Sequence, residues 1–172
     1  MIMPRGQQLL MPVKPGFIAF SIACAFLFSL LPLGGFVWMP DVLMMVLAFW
    51  ALHHPNRMGM GVAFVLGLGV DVQQTALLGQ HALTYILVVY VCQRFSRRMM
   101  WFSPLTQAVQ VLPMFVAAHV LQMCIRMLSG GMFPGVWLAV APLLEMLLWP
   151  LLCAALLAPQ RRAPDATGER PL

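Results

Sequence analysis

Long apolar runs separated by short polar turns make up most of the chain. Six runs, at about residues 16–33, 40–52, 58–78, 81–92, 105–128 and 136–158, read as helices crossing a bilayer. An upright crossing takes about 20 apolar residues. The second run is shorter, so it must borrow residues 36–40 or thin the bilayer locally. Pro113 falls inside the fifth run and is expected to kink it, which is tolerable where neighbours satisfy the freed carbonyl. Outside the runs lie a short tail at 1–15 and a polar, Pro-rich tail at 159–172, expected to be disordered. The pattern predicts an all-α, polytopic membrane domain over 16–158, flanked by two tails. The first run lacks a small-x-small cleavage site at its end and is expected to be a retained span.

Composition sharpens this. The 172 residues are 62% hydrophobic and 9% charged, and the mean hydropathy is +0.88. Soluble domains carry roughly a quarter charged residues, so this chain cannot cover a surface facing water. The net charge of +5 then marks loop placement rather than nucleic-acid binding. With six crossings, nine of the ten basic residues fall on one side and Arg126 alone on the other. Short cytoplasmic loops hold the Lys/Arg excess, so both termini are expected in the cytoplasm. Arg94, Arg97 and Arg98 are expected in a basic loop at 93–104, touching anionic lipids or docking a cytoplasmic protein. Cys24, Cys92, Cys124 and Cys153 stand singly in apolar segments and read as free, buried thiols.

Asp71, His119 and Glu145 lie deep within the runs. Ionisable groups there are expensive and need partners on neighbouring helices. At 1.5 Å per residue, Asp71 sits roughly 18 Å from the cytoplasmic end of its helix, and His119 and Glu145 about 20–22 Å. Matched depth allows a functional polar centre for a ligand or proton, or a polar clamp joining spans three, five and six. The clamp is favoured, because a transport core carries more polar residues. Gly59, Ala63, Gly67 and Asp71 recur at four-residue steps. They form one helix stripe where another helix can approach closely, inside the bundle or across to a partner.

Asp41 follows Pro40 and is expected to cap the second helix, since a carboxylate suits a helix N-terminus. His81 begins the fourth run and could cap it or meet a partner. His53 and His54 are adjacent and do not share a helix face, which argues against a shared metal. Neither Cys/His metal spacing nor the sequences HExxH, GxSxG or a phosphate loop occur, so no enzyme or cofactor is expected.

Trp38-Met39-Pro40-Asp41, a span bearing Trp50, and the turn His54-Pro55-Asn56-Arg57 then follow in order. Gly61 to Phe64, Gly67-Leu68-Gly69-Val70-Asp71 and Leu78-Gly79-Gln80-His81-Ala82-Leu83 complete the series. In this order, and at this chain length, the motifs resemble the MreD family of rod shape-determining proteins over about residues 38–90. The resemblance implies a non-enzymatic inner-membrane component of the elongasome, the machinery of peptidoglycan and cell-wall elongation. It also implies partnership with MreC and, through it, with MreB, RodA and a penicillin-binding transpeptidase. The family is similar in fold to the substrate-binding subunits of energy-coupling-factor transporters. That similarity supplies the alternative expectation, a small-molecule (vitamin-like) binding subunit.

Overall fold

The computed structural model describes residues 13–31, 39–131 and 135–160. They form six α-helices: α1 (Pro15–Ser29), α2 (Val42–His53), α3 (Met60–Gln73), α4 (Gln80–Met99), α5 (Pro104–Leu128) and α6 (Val140–Leu157). A 3-10 segment, Gly135–Ala139, leads into α6, and a second, Ala158–Gln160, follows it. The fold is all-helical among the described residues. The tail to residue 12, the turn around Trp38 and the tail from residue 161 lie outside them.

α2 is the axis of the bundle. Residues 43–52 are all buried, enclosed by α1, α4 and α6. A helix wrapped on every side needs no polar face, which is why this run is apolar all round. It starts where the Asp41 side chain accepts from the Met44 N–H at 2.9 Å. It stops at His54, which precedes Pro55 and has left helical geometry, with φ −136° and ψ 64°. At 12 residues, it is only about 18 Å long.

Hydrogen bonds between helix ends define the packing order. The Gln73 amide, closing α3, donates to Leu30 O just beyond α1. The Gln93 amide, late in α4, donates to the carbonyls of Pro55 and Met58 between α2 and α3. One end of the bundle therefore gathers residues 39–41, 74–79 and 129–131, and the other gathers 13–14, 54–59 and 100–103.

Several boundaries differ from the sequence expectation. The fourth helix does not stop at Cys92 but continues to Met99. Arg94, Arg97 and Arg98 are consequently exposed on its last turns rather than in a loop. Loss of apolarity does not end a helix; Gln93-Arg94-Phe95-Ser96-Arg97-Arg98 contains no Gly or Pro, and the helix runs to Met99, a short turn before Ser103 and Pro104 start the next one. The third helix ends at Gln73, five residues early. A tight turn follows, with Thr75 at φ 50° and Gly79 at φ 101°. A left-handed φ is uncommon for a β-branched residue. α5 runs unbroken through Pro113, and α6 through Pro150.

α5, and α6 with its flanking turns, are long and apolar enough to cross a membrane, over Pro104–Leu128 and Trp137–Gln160. α1, α2 and α3 are apolar but shorter. Large hydrophobic side chains face outward on α1 (Phe20, Leu27), α3 (Val65, Val72), α5 (Leu105, Val109) and α6 (Leu147, Leu151). Such faces are rare on a protein in water. The same faces correct the cysteine expectation. All four thiols are free, but only Cys92 and Cys153 are buried, while Cys24 and Cys124 are exposed. An apolar neighbourhood in sequence does not distinguish the core from an outward apolar face.

Candidate functional site

A cluster of polar side chains from α2, α3, α4, α5 and α6 lies near the 39–41 end of the bundle. Its first half is built on Asp71, which has no solvent exposure. Asp71 Oδ2 accepts from the Gly79 N–H at 2.8 Å and the Ala82 N–H at 3.4 Å. Its Oδ1 accepts from the His81 N–H at 2.8 Å and faces the His81 Nδ1 at 2.7 Å. These are the N–H groups that the start of a helix leaves without internal partners. Asp71 therefore caps α4 from the side chain of α3, where the helix dipole also favours a negative charge. Gly79 takes the left-handed geometry that brings its N–H onto the carboxylate.

Close approach of the two backbones makes this cap possible. A methyl group at Gly67 would strike the Ala82 backbone, 2.6 Å from its nitrogen, and lie 2.9 Å from the His81 carbonyl carbon. The small-residue stripe thus works inside the bundle, through Ala63, Gly67 and Asp71, all buried. Gly59 is not part of it: it precedes the helix with extended geometry (φ −83°, ψ 141°), so helical spacing does not apply there.

The second half centres on Asp41 and Glu145. Asp41 caps α2 with Oδ1 and accepts from the Tyr85 hydroxyl with Oδ2 at 2.7 Å. Its own N–H donates to Glu145 Oε1 at 2.9 Å. That same oxygen meets His119 Nε2 at 2.9 Å. Tyr85 and Glu145 have no solvent exposure, and His119 has 7%. One face of α4 joins the halves: Tyr85 is four residues after His81, and their rings meet edge to face at 5.9 Å.

The trio expected at matched depth therefore separates. His119 and Glu145 pair, but Asp71 pairs with His81 instead. The reason is geometric: three N–H groups at the start of α4 offer Asp71 partners that depth arithmetic cannot see. The clamp joining spans three, five and six is thus two clamps, α3 to α4 and α2–α4–α5–α6. Tyr85 is the member that sequence reasoning misses. Its signal is the i, i+4 spacing from His81, which puts both on one helix face.

Pro40 is half-buried before the Asp41 cap, at the same end as the cluster. The other motif residues organise the opposite end. Trp50 is fully buried and donates from Nε1 to Ser21 Oγ at 2.8 Å, tying α2 to α1. Pro55 presents its carbonyl to Gln93. Arg57 donates to Val13 O at 2.9 Å, tying the turn to the residues before α1. Burial, and then the Arg57 charge, lower the His54 pKa below its ordinary value. Arg94, Arg97 and Arg98 form no ion pair among the described residues.

Chemically, the cluster fastens helices. Among the described residues, no group of three or more His, Cys, Asp or Glu side chains is placed to hold a metal ion. Asp41 and Asp71 have both oxygens occupied by hydrogen-bond donors, an arrangement that rigidifies a core.

Comparison with known proteins follows the same line. The family model described as MreD, rod shape-determining protein MreD, matches residues 8–158. The rod shape-determining protein MreD of Haemophilus influenzae (strain ATCC 51907 / DSM 11121 / KW20 / Rd) is 32% identical over 78 residues, 43% of this chain and 48% of that protein. The chain thus spans about half the length of the curated relative it matches. No solved structure matches the chain.

Proposed function

This chain belongs to the MreD family of rod shape-determining proteins, and we propose that it is a non-enzymatic scaffold of the bacterial elongation machinery in the inner membrane. The match across residues 8–158 carries the reading. The polar cluster supports it, because Asp41, Asp71 and Glu145 each join helices. In this reading the six helices cross the membrane as one domain over 16–158, with both termini cytoplasmic. Support comes from the outward apolar faces and from the basic residues. Lys14, Arg57, Arg94, Arg97 and Arg98 gather at one end of the bundle, and Arg126 sits toward the other. The short α1, α2 and α3 are accommodated by local thinning and flanking turns.

The partners we propose are MreC, directly, and through it MreB, RodA and the penicillin-binding transpeptidase. The surface available to a membrane anchor is the outward apolar face, since the Gly67 stripe is used within the bundle. Purification in mild detergent, with co-purifying proteins identified by mass spectrometry, is the test. MreC should be recovered. Recovery of an energising ATPase module without MreC would instead favour a small-molecule binding subunit and sink the scaffold reading.

A further inference from the structure

Glu145 is used asymmetrically. Oε1 meets both the Asp41 N–H and His119, while Oε2, equally buried, has no partner among the described residues. One turn along the same face of α6, Trp149 is fully enclosed and its Nε1–H is also without a partner there. A helical side chain leans toward the turn before it, so the Trp149 ring leans toward Glu145. Across the seam, His119 pairs with Glu145 and Phe115 packs on Trp149 with ring centroids 5.8 Å apart. That antiparallel register sets Gln122 beside Pro142, one turn from Glu145 toward the 129–131 end. The Gln122 Nε2 is a third buried polar atom without a partner among the described residues. Two buried N–H donors and one carboxylate oxygen, all without partners among the described residues, therefore lie along a single seam.

An apolar groove of about 380 Å³ opens beside this seam, lined by Val116, Val120, Met123, Pro142 and Leu143, with His119 as its polar member. The groove is thus bounded on one side by the imidazole that pairs with Glu145. Buried polar atoms in native proteins are paired, and ordered water is the usual partner when protein supplies none.

We infer that the seam between α5 and α6 is a binding site for ordered water, held between Glu145 Oε2 and Trp149 Nε1 and extended toward Gln122. Water fits because one molecule can accept from the indole N–H and donate to the carboxylate oxygen. If Oε2 carries a proton, the same molecule accepts from both. Neither a metal ion nor an anion suits a position facing an indole N–H on one side and a carboxylate on the other. The site is independent of the scaffold role and stands or falls separately from it.

The test uses the intact wild-type chain in lipid nanodiscs. Hydroxyl radicals generated by brief X-ray exposure oxidise buried side chains that lie against bound water, and mass spectrometry reads the sites. Trp50 is the internal control: it is equally enclosed, but its N–H is satisfied by Ser21. Oxidation of Trp149 should be several-fold faster than that of Trp50. Equal or slower oxidation would overturn the inference.

Discussion

Asp71 accepts from three backbone N–H groups and faces one imidazole, so replacing it tests the α4 cap directly. Asp71→Leu strands those donors in a buried site. The expected cost is about 3–5 kcal/mol, the range for removing one member of a buried pair. Asp71→Asn keeps one acceptor oxygen and should cost about 1–3 kcal/mol. Thermal unfolding in detergent measures both, and equal stabilities for the two variants would refute the cap. The Tyr85 hydroxyl is a cleaner probe, because Tyr85→Phe removes only the donor to Asp41 Oδ2. Hydrogen bonds to charged groups contribute about 1.5–3 kcal/mol, so a loss of that size is expected in the same assay. An unchanged melting temperature would mean that Asp41 does not depend on Tyr85.

Among elements, the α3–α4 pair depends on Gly67. A Cβ there meets backbone rather than the far end of a flexible side chain, so the helices must separate. Gly67→Ala should destabilise by about 1–3 kcal/mol, the usual cost of overpacking, and Gly67→Leu should also disrupt rod shape. Gly61 lies in the same helix, and a Cβ added there would meet nothing within 4 Å. Gly61→Ala should therefore stabilise by about 0.5–1 kcal/mol through reduced backbone freedom in the unfolded chain. Opposite signs for one substitution at two positions of one helix are the expected result, read by unfolding midpoints. If both glycines tolerate alanine alike, the close approach is not as described. The α3–α4 contact also explains why the third helix is short: Gln74 to Gly79 must turn back within six residues for Asp71 to reach the start of α4.

For the whole molecule, the alternation of helix direction and the gathering of basic residues at one end predict a specific labelling pattern. Single cysteines at Ala76 or Gly130, in a chain freed of its own four, should react with a membrane-impermeant maleimide in cells whose outer membrane is permeable. Cysteines at Asn56 or Ser103 should react only after the inner membrane is opened. The reverse pattern would invert the proposed topology, and labelling of both sets together would refute the six crossings. Within this frame the short α2 is less anomalous than its length suggests. It is surrounded by other helices, so protein rather than lipid meets its ends.

How much was legible in the sequence differs by feature. Apolar runs, the basic asymmetry and the Pro40-to-Leu83 motifs sufficed for the helical class, the helix number and the family, because these depend on local composition and order along the chain. Asp41 was legible as a cap for the same reason, since its partner lies three residues away. Arg94, Arg97 and Arg98 were misplaced because hydropathy reports the solvent around a helix, not where the backbone stops being helical. Only the tertiary structure decided that Asp71 belongs with His81 and Gly79, and Glu145 with His119, Asp41 and Tyr85. Those partners are chosen by which helix ends meet in space, and a hydrogen bond reaching only about 3 Å cannot be read from depth along separate helices.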